Sequence, residues 1–442
     1  MEDDAAAAAA VSKVLSDDDL LAEILVRAGF PTTLVRAAAV CKRWLHHASH
    51  KAFLRRFRKL NPPRILGFYT QIFQGDPRFV PMLPQPPELA AAVRIVKGYS
   101  FGAPNDGDSL VSHEVLVHDC RNGSVSTALR STRNHAMRFE ELLGFTVGMD
   151  SPLCPEKAMA IDPPLSPHHQ HPKYRGLGPA GFLILSREEK DGSLSYFFVL
   201  LENPTSLDTT SETNFAVHVF MLKDGAWCML ASATTQIDHW REDIRAVLVD
   251  NRIYIMATYI EITVLDLTTS SFSTVKLPPG LSDSMISRAD DASSVSLVGM
   301  KEHQLGIWLH KGDSWSIVGT ICLREMCANL MMSDCSVKDM IISPLWIIHV
   351  GDNAEFVILQ MGRSVFYLDT RCRTLRTLYE TPEDELYQVD FSIQPFMMIW
   401  PPTFPAIKCD PTRFAFWPLD TLYYSDLIDV LWLSKVRLPS HC

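Results

Sequence analysis

No two cysteines in this chain are spaced C-x-x-C, and the ten present are scattered, the nearest pair being Cys322 and Cys327. That spacing suits neither a zinc site nor a compact disulfide framework. Reduced thiols in a cytoplasmic or nuclear protein are the simpler account. No apolar run approaches the roughly 18–20 residues that cross a bilayer, so no membrane partner is expected. Met1-Glu2-Asp3-Asp4 and the six alanines after it lack the basic start of a signal peptide. Glycine is scarce, 21 against 28 prolines, which favours many turns between short elements over long helices. Positive charge is in deficit as well. The formal net charge is −10, so nucleic acid is not an expected partner. The chain has no G-x-S-x-G, no phosphate-binding loop and no dinucleotide fingerprint. No catalytic residue, cofactor or metal follows from it.

Two histidine groups need separate treatment. His113-Glu114-Val115-Leu116-Val117-His118 has the flavour of a zincin motif, but three residues separate Glu114 from His118. Its β-branched filler belongs on a strand, where residues five apart point to opposite faces. His168, His169 and His171 sit among prolines with no Cys or carboxylate immediately beside them, as in a solvated turn.

What is present divides the chain in three. Residues 1–14 read as a disordered lead, acidic and then Ala-rich. Residues 15–60 read as helices. Ser16 is placed as an N-cap with Asp19 three residues on. Asp17, Asp18 and Asp19 put negative charge at the helix N-terminus, where the dipole favours it. Leu20, Leu21, Ile24, Leu25 and Ala28 recur at helical spacing. Gly29 stops the first helix and Pro31 opens the next. Leu34, Val35 and Ala38 follow, then Val40, Cys41, Trp44, Leu45 and Ala48. Residues 42–64 hold eight Lys/Arg and no acid, read as a solvated helix face and linker. A unit this small sits near the lower limit for an independent core. Yet it shows large apolar residues on every helix, so some must be covered by the downstream domain or by a partner protein.

The run Leu15-Ser16-Asp17-Asp18-Asp19-Leu20-Leu21-Ala22-Glu23-Ile24-Leu25, followed by Leu34 to Lys42-Arg43-Trp44, resembles an F-box. That pattern opens with Leu-Pro, continues through an acidic, Leu-rich helix and ends in Val-Cys-Lys-x-Trp. Ser16 departs from it where proline is usual, and Gly29-Phe30 stand where Leu-Pro is common. The resemblance implies a three-helix F-box that docks a Skp-type adaptor and, through it, a cullin. Leu15, Leu20, Ile24, Leu25, Leu34, Val40, Cys41 and Trp44 match its apolar positions. They are expected to divide between an internal core and the adaptor contact.

After Pro62-Pro63 the texture becomes that of an all-β domain, assigned to residues 61–442. Ala246–Val249, Arg252–Met256, Ile262–Leu267 and Phe272–Leu277 are four apolar runs in about 35 residues, separated by turns. Similar sets begin at Phe182, Val295 and Trp346. Asp266 and Asp369 hold matching places 103 residues apart, two steps of about 51. A repeat near 50 residues with four strands is the mark of a β-propeller, here of six or seven blades over residues 64–400. The stretch Phe414 to Leu433 is expected to complete the first blade. A large β-sandwich, or two smaller β-domains, is the competing architecture. The texture is similar to that of plant F-box proteins with a kelch-like or F-box-associated C-terminal domain. Trp227, Trp308, Trp315, Trp346 and Trp400 are expected in the core.

The function these readings imply is recruitment. The chain would be the substrate adaptor of a Skp–cullin–F-box ubiquitin ligase, non-catalytic, holding an unknown target protein near the charged conjugating enzyme. Loops are expected at 102–109, 162–181, 203–214, 237–243 and 279–293, and function is expected on them. Trp240 and Arg241 are the residue types that dominate interface hot spots and are assigned to the target face. A propeller-fold enzyme and a non-ligase scaffold are the rival classes. A compact set of buried, mutually bonded acids and bases in a pocket would mark the enzyme.

Overall fold

The structure, a computed structural model, describes residues 13–61, 64–71, 76–102, 111–134, 140–164, 181–189, 193–202, 214–236, 244–289, 294–312, 314–324, 326, 345–380, 392–400 and 402. The lead at 1–12, most of the expected loops and the stretch Phe414 to Leu433 lie outside the described residues.

Among the described residues the N-terminal unit shows, after a helical stretch at 13–16, four further helices where three were expected: α1 (Asp18–Val26), α2 (Pro31–Ala38), α3 (Lys42–Ser49) and α4 (Lys51–Leu60). His50, extended at φ −67° and ψ 130°, separates the last two. The cap of α1 is Asp17 rather than Ser16. Its carboxylate accepts from the amides of Asp19 and Leu20, and the Ser16 hydroxyl donates back to Lys13 O. Gly29 ends the first helix at φ +76°, and Pro31 opens the second. Leu21, Leu25, Val26, Leu34, Ala38, Ala48, Phe53 and Phe57 bury one core between the helices.

Among the described residues, the chain from Ile65 to Trp400 forms a six-bladed β-propeller. Blade 1 starts with β1 (Ile65–Gln71) and β2 (Arg78–Pro81). A further helix, α5 (Ala90–Gly98), follows, where an all-β reading had none. Its Ala92 and Val96 pack on Tyr69 of β1. Blade 2 is β3 (Val111–Arg121), β4 (Ser124–Asn134), β5 (Glu140–Asp150) and β6 (Met159–Ile161). Blade 3 is β7 (Phe182–Glu188), β8 (Leu194–Glu202), β9 (Asn214–Lys223) and β10 (Ala226–Gln236). Blade 4 is β11 (Arg245–Val249), β12 (Arg252–Met256), β13 (Glu261–Asp266) and β14 (Ser271–Lys276), the four strands read from the sequence. Blade 5 is β15 (Asp283–Arg288), β16 (Val295–Lys301), β17 (Gln304–Lys311) and β18 (Ser314–Cys322). Blade 6 is β19 (Leu345–Val350), β20 (Phe356–Met361), β21 (Ser364–Asp369) and β22 (Thr374–Glu380). Each of blades 2 to 6 is an antiparallel meander in chain order.

The last described strand, β23 (Ser392–Met397), returns to blade 1 and pairs antiparallel with β1, from Gln71↔Ser392 to Ile65↔Met397. This short strand forms the described inner edge of blade 1; the apolar stretch Phe414 to Leu433, expected to complete that blade, lies outside the described residues. Pro395 is tolerated because the strand forms the inner margin of its sheet, where one side needs no ladder donor.

Turn chemistry fixes the registers. Asn122-Gly123 and Asp224-Gly225 all adopt positive φ, as tight hairpins require. Asp266 and Asp369 end the third strands of blades 4 and 6. Asp266 accepts from the amides of Thr268 and Thr269, and Asp369 from those of Arg371 and Cys372. The repeat legible in the sequence is therefore the same turn, built twice.

The core is a set of layers between blades. In β1, successive side chains alternate: Phe68 packs with blade 6 and Tyr69 with blade 2. Comparable layers join blades 2 and 3, 3 and 4, 4 and 5, and 5 and 6. In blade 5 the Trp308 ring lies over the glycine pair Gly299↔Gly306. A Cβ on Gly306 would come within 2.2 Å of it. Trp346 departs from the core expectation: it is 49% exposed, on the innermost strand of blade 6. Trp400 is buried, but its partner is Phe57 of α4, stacked at 5.5 Å with the planes 7° apart.

Candidate functional site

The helical unit sits on one face of the propeller. Asn122, in the β3–β4 turn, bonds both backbone groups of Trp400 and holds it under Phe57. Arg58 of α4 is bidentate to Glu188 at the end of β7. Both contacts lie where first strands run into second strands. In an antiparallel meander the second-to-third connections and the blade-to-blade connections emerge on the opposite face. Connections 135–139, 162–181, 203–213, 237–244, 323–344 and 381–391 therefore leave and rejoin there. Trp240 and Arg241 belong to one of these and lie outside the described residues. On the same face, Tyr259 and Ile260, between β12 and β13, are 60% and 66% exposed.

Four of the eight basic residues of 42–64 are engaged within the fold: Arg43, Arg56, Arg58 and Arg64. Arg43 donates to Leu15 O, Ser16 O and Asp18, which ties α3 to the entry of α1. Hydrogen bonding from Arg43 holds the Asp18 carboxyl below its ordinary value. Arg56 pairs with Glu23, and Arg64 lies 4.4 Å over the Phe30 ring.

The eight apolar positions singled out in the sequence separate cleanly. Leu25 and Leu34 are buried, and Leu15 and Trp44 are half-buried. Leu20 (45%), Ile24 (44%) and Val40 (63%) are exposed, and so is Cys41. Leu20 and Ile24 are one helical turn apart and share a face of α1. These side chains are exposed although the unit has a core of its own.

A second site was not visible in the sequence. The inner strands β3, β7, β11, β15, β19 and β23 surround a cavity of 1320 Å³. One mouth is overhung by Arg55, Arg58 and Lys59 of α4. Its walls mix apolar side chains with charged ones. Arg121 donates to Asp352 at 2.8 Å, and Ser186 donates to Asp119. Burial alone would raise the Asp352 carboxyl, but Arg121 and Arg288 hold it down at about 2. Burial holds the imidazoles of His118 and His349 down at about 4 and 3.

The histidines of the zincin-like run go separate ways. His113 meets the Ser131 hydroxyl at 2.8 Å, and His118 packs against Phe182. His168, His169 and His171 lie outside the described residues. Among the described residues no group of three His, Cys, Asp or Glu side chains is placed to hold a metal. One acid–base set does occur. Ser232 meets His218 Nδ1 at 2.9 Å, and His218 Nε2 lies 3.3 Å from Glu202. His218 and Glu202 are each 2% exposed. The set spans β8, β9 and β10 of blade 3 and does not line the cavity.

Comparison with known proteins agrees with this architecture. Among solved structures, a protein from Lactobacillus plantarum is 12% identical, with 61% of this chain and 82% of that one covered at a TM-score of 0.31. A functionally unknown protein from Desulfotomaculum acetoxidans DSM 771 is 10% identical over 76% of this chain and 99% of that one, with a TM-score of 0.35. The WD40 domain of SCAP from fission yeast is 10% identical over 61% and 56%, at 0.27. Scores this low carry no argument. No curated protein matches the chain. The family described as "F-box protein AT5G49610-like, beta-propeller" matches residues 116–404, well over half of the 442-residue chain. On that match, and on the six blades it covers in large part, the chain belongs to the AT5G49610-like F-box proteins with a β-propeller.

Proposed function

We propose that this protein is the substrate-recruiting subunit of a Skp–cullin–F-box ubiquitin ligase, acting in the cytoplasm, the nucleus or both. The observation that carries the reading is the exposure of Leu20, Ile24 and Val40 on a helical unit whose own core is complete without them. These side chains, with Cys41, dock the Skp-type adaptor and through it the cullin. Leu25, Leu34 and Trp44 support that surface from beneath. A protein target is held on the far face of the propeller, where the Tyr259-Ile260 pair lies; Trp240 and Arg241, assigned to that contact from the sequence, lie outside the described residues. The mechanism is proximity: tethering raises the effective concentration of target lysines near the charged conjugating enzyme. No nucleophile is required of this chain, and the Ser232–His218–Glu202 set serves as a cross-strand network within blade 3.

The test is a pull-down with two readouts. Leu20→Ala/Ile24→Ala is expected to reduce adaptor recovery at least tenfold, since each truncated apolar anchor removes about 1 kcal/mol or more. The unfolding midpoint of the propeller should not move. Tyr259→Ser/Ile260→Ser is expected to keep the adaptor and lose the target. Adaptor recovery unchanged by the first pair removes the ligase reading and leaves a non-ligase scaffold. Turnover of a small substrate lost on His218→Ala would favour the enzyme class instead.

A further inference from the structure

The cavity at the propeller axis has a charge excess that the rest of the chain does not share. Among the described residues eight Arg/Lys and five Asp/Glu line it, in a protein whose formal net charge is −10. Three ion pairs account for part of this: Arg58 with Glu188, Arg121 with Asp352, and Arg371 with Glu355. The carboxylate of Asp119 is engaged by Ser186. Arg288 is left with one hydrogen bond among the described residues, to the carbonyl of Ser186. A guanidinium carries five N–H donors, and one carbonyl can take only part of them. Burial, and then repulsion from Arg121, lower the Arg288 pKa to about 10 against the attraction of Asp352 and Asp119. At the mouth, Arg55 and Lys59 of α4 are exposed on the same cavity.

We propose that the axial cavity binds a small organic phosphate carrying two or three negative charges, held by Arg288 within the channel and by Arg55 and Lys59 at the mouth. Three observations point to phosphate. Among the described residues the lining excess is three positive charges. The guanidinium fork matches phosphate oxygens in bidentate fashion. The volume, 1320 Å³, exceeds the roughly 300–1,000 Å³ of ordinary small-ligand sites and so admits a phosphorylated metabolite with water around it. Because α4 supplies part of the site and the blades supply the rest, the ligand bridges the helical unit and the propeller. The inference does not rest on adaptor docking.

The experiment uses the full chain and inorganic tripolyphosphate as the probe, with citrate and with KCl at equal ionic strength as the other arms. Tripolyphosphate is expected to raise the thermal midpoint saturably, as a ligand of the native state must. KCl should not do so, and citrate should do so only at higher concentration. Arg288→Gln is expected to raise the half-saturating concentration about tenfold, the effect of losing a charge-assisted contact. Arg55→Gln/Lys59→Gln alters only exposed side chains, so it folds whatever Arg288→Gln does, and it is expected to raise that concentration several-fold. A shift reproduced by KCl, a citrate response equal to that of tripolyphosphate, or a parental response from the double variant overturns the proposal.

Discussion

A chain stopped before Ser392 is expected to lose the cooperative unfolding transition of the propeller. β23 is the only described strand on the inner side of β1, and it carries Phe396, fully buried among Tyr69, Phe79 and Val117. Without it, β1 presents an open edge to the channel, and the layers on both sides of blade 1 lose a wall. The milder variant Phe396→Ala should lower the unfolding free energy by about 3–5 kcal/mol, the usual cost of emptying a buried aromatic site. Both are read by urea denaturation followed by far-ultraviolet circular dichroism. A truncated chain that still unfolds in one sharp step near the parental midpoint would show that closure resides elsewhere.

Phe57→Ala carries the second large effect. Phe57 is fully buried, belongs to the core of the helical unit and stacks on Trp400 of the propeller. Truncation removes a wall from both partners at once, again about 3–5 kcal/mol. The expected signature is more specific than a loss of stability. The helical unit should come loose at denaturant concentrations where the blades remain folded, so one transition becomes two. Trp400 fluorescence should report the first and circular dichroism of the sheets the second. A single transition displaced as a whole would mean that the two units unfold together even without the stack. The same contact bears on deletion experiments: removing residues 1–60 strips the cover from Trp400, so loss of a partner then reflects more than loss of the helices.

What could be read in the sequence was whatever hydropathy and turn residues encode together. The strands of blades 3, 4 and 6 announced themselves because apolar runs were bounded by Asp-Asn, Asp-Gly and Thr-rich turns. β15 did not. Asp283, Ser284 and Ser287 are buried in it, and no hydropathy rule places them inside. They are tolerated because the channel wall offers partners: Asp283 accepts from its neighbour Ser284 N and from Ile347 N of blade 6. Blade 2 was hidden for the same reason, since Glu114, Asp119 and Arg121 interrupt its first strand and face the cavity. Ser392–Met397, with a Gln and a Pro, does not read as a strand until its place at the channel margin is known. The charged site was invisible altogether: Arg121, Arg288 and Asp352 are far apart in sequence and meet only because three blades turn toward one axis.

Closing the ring with its last described strand also sets the order of events in synthesis. Ile65 cannot find Met397 until nearly all of the described chain has left the ribosome, whereas α1 to α4 need only each other. Contacts between such distant residues form slowly. For most of its production, then, the nascent chain carries finished helices with Leu20 and Ile24 already on display, ahead of blades that still wait for their first neighbour. An adaptor present at that moment would meet a competent helical unit before any recognition face exists, and Phe57 would have no Trp400 to rest on until the final strand arrives.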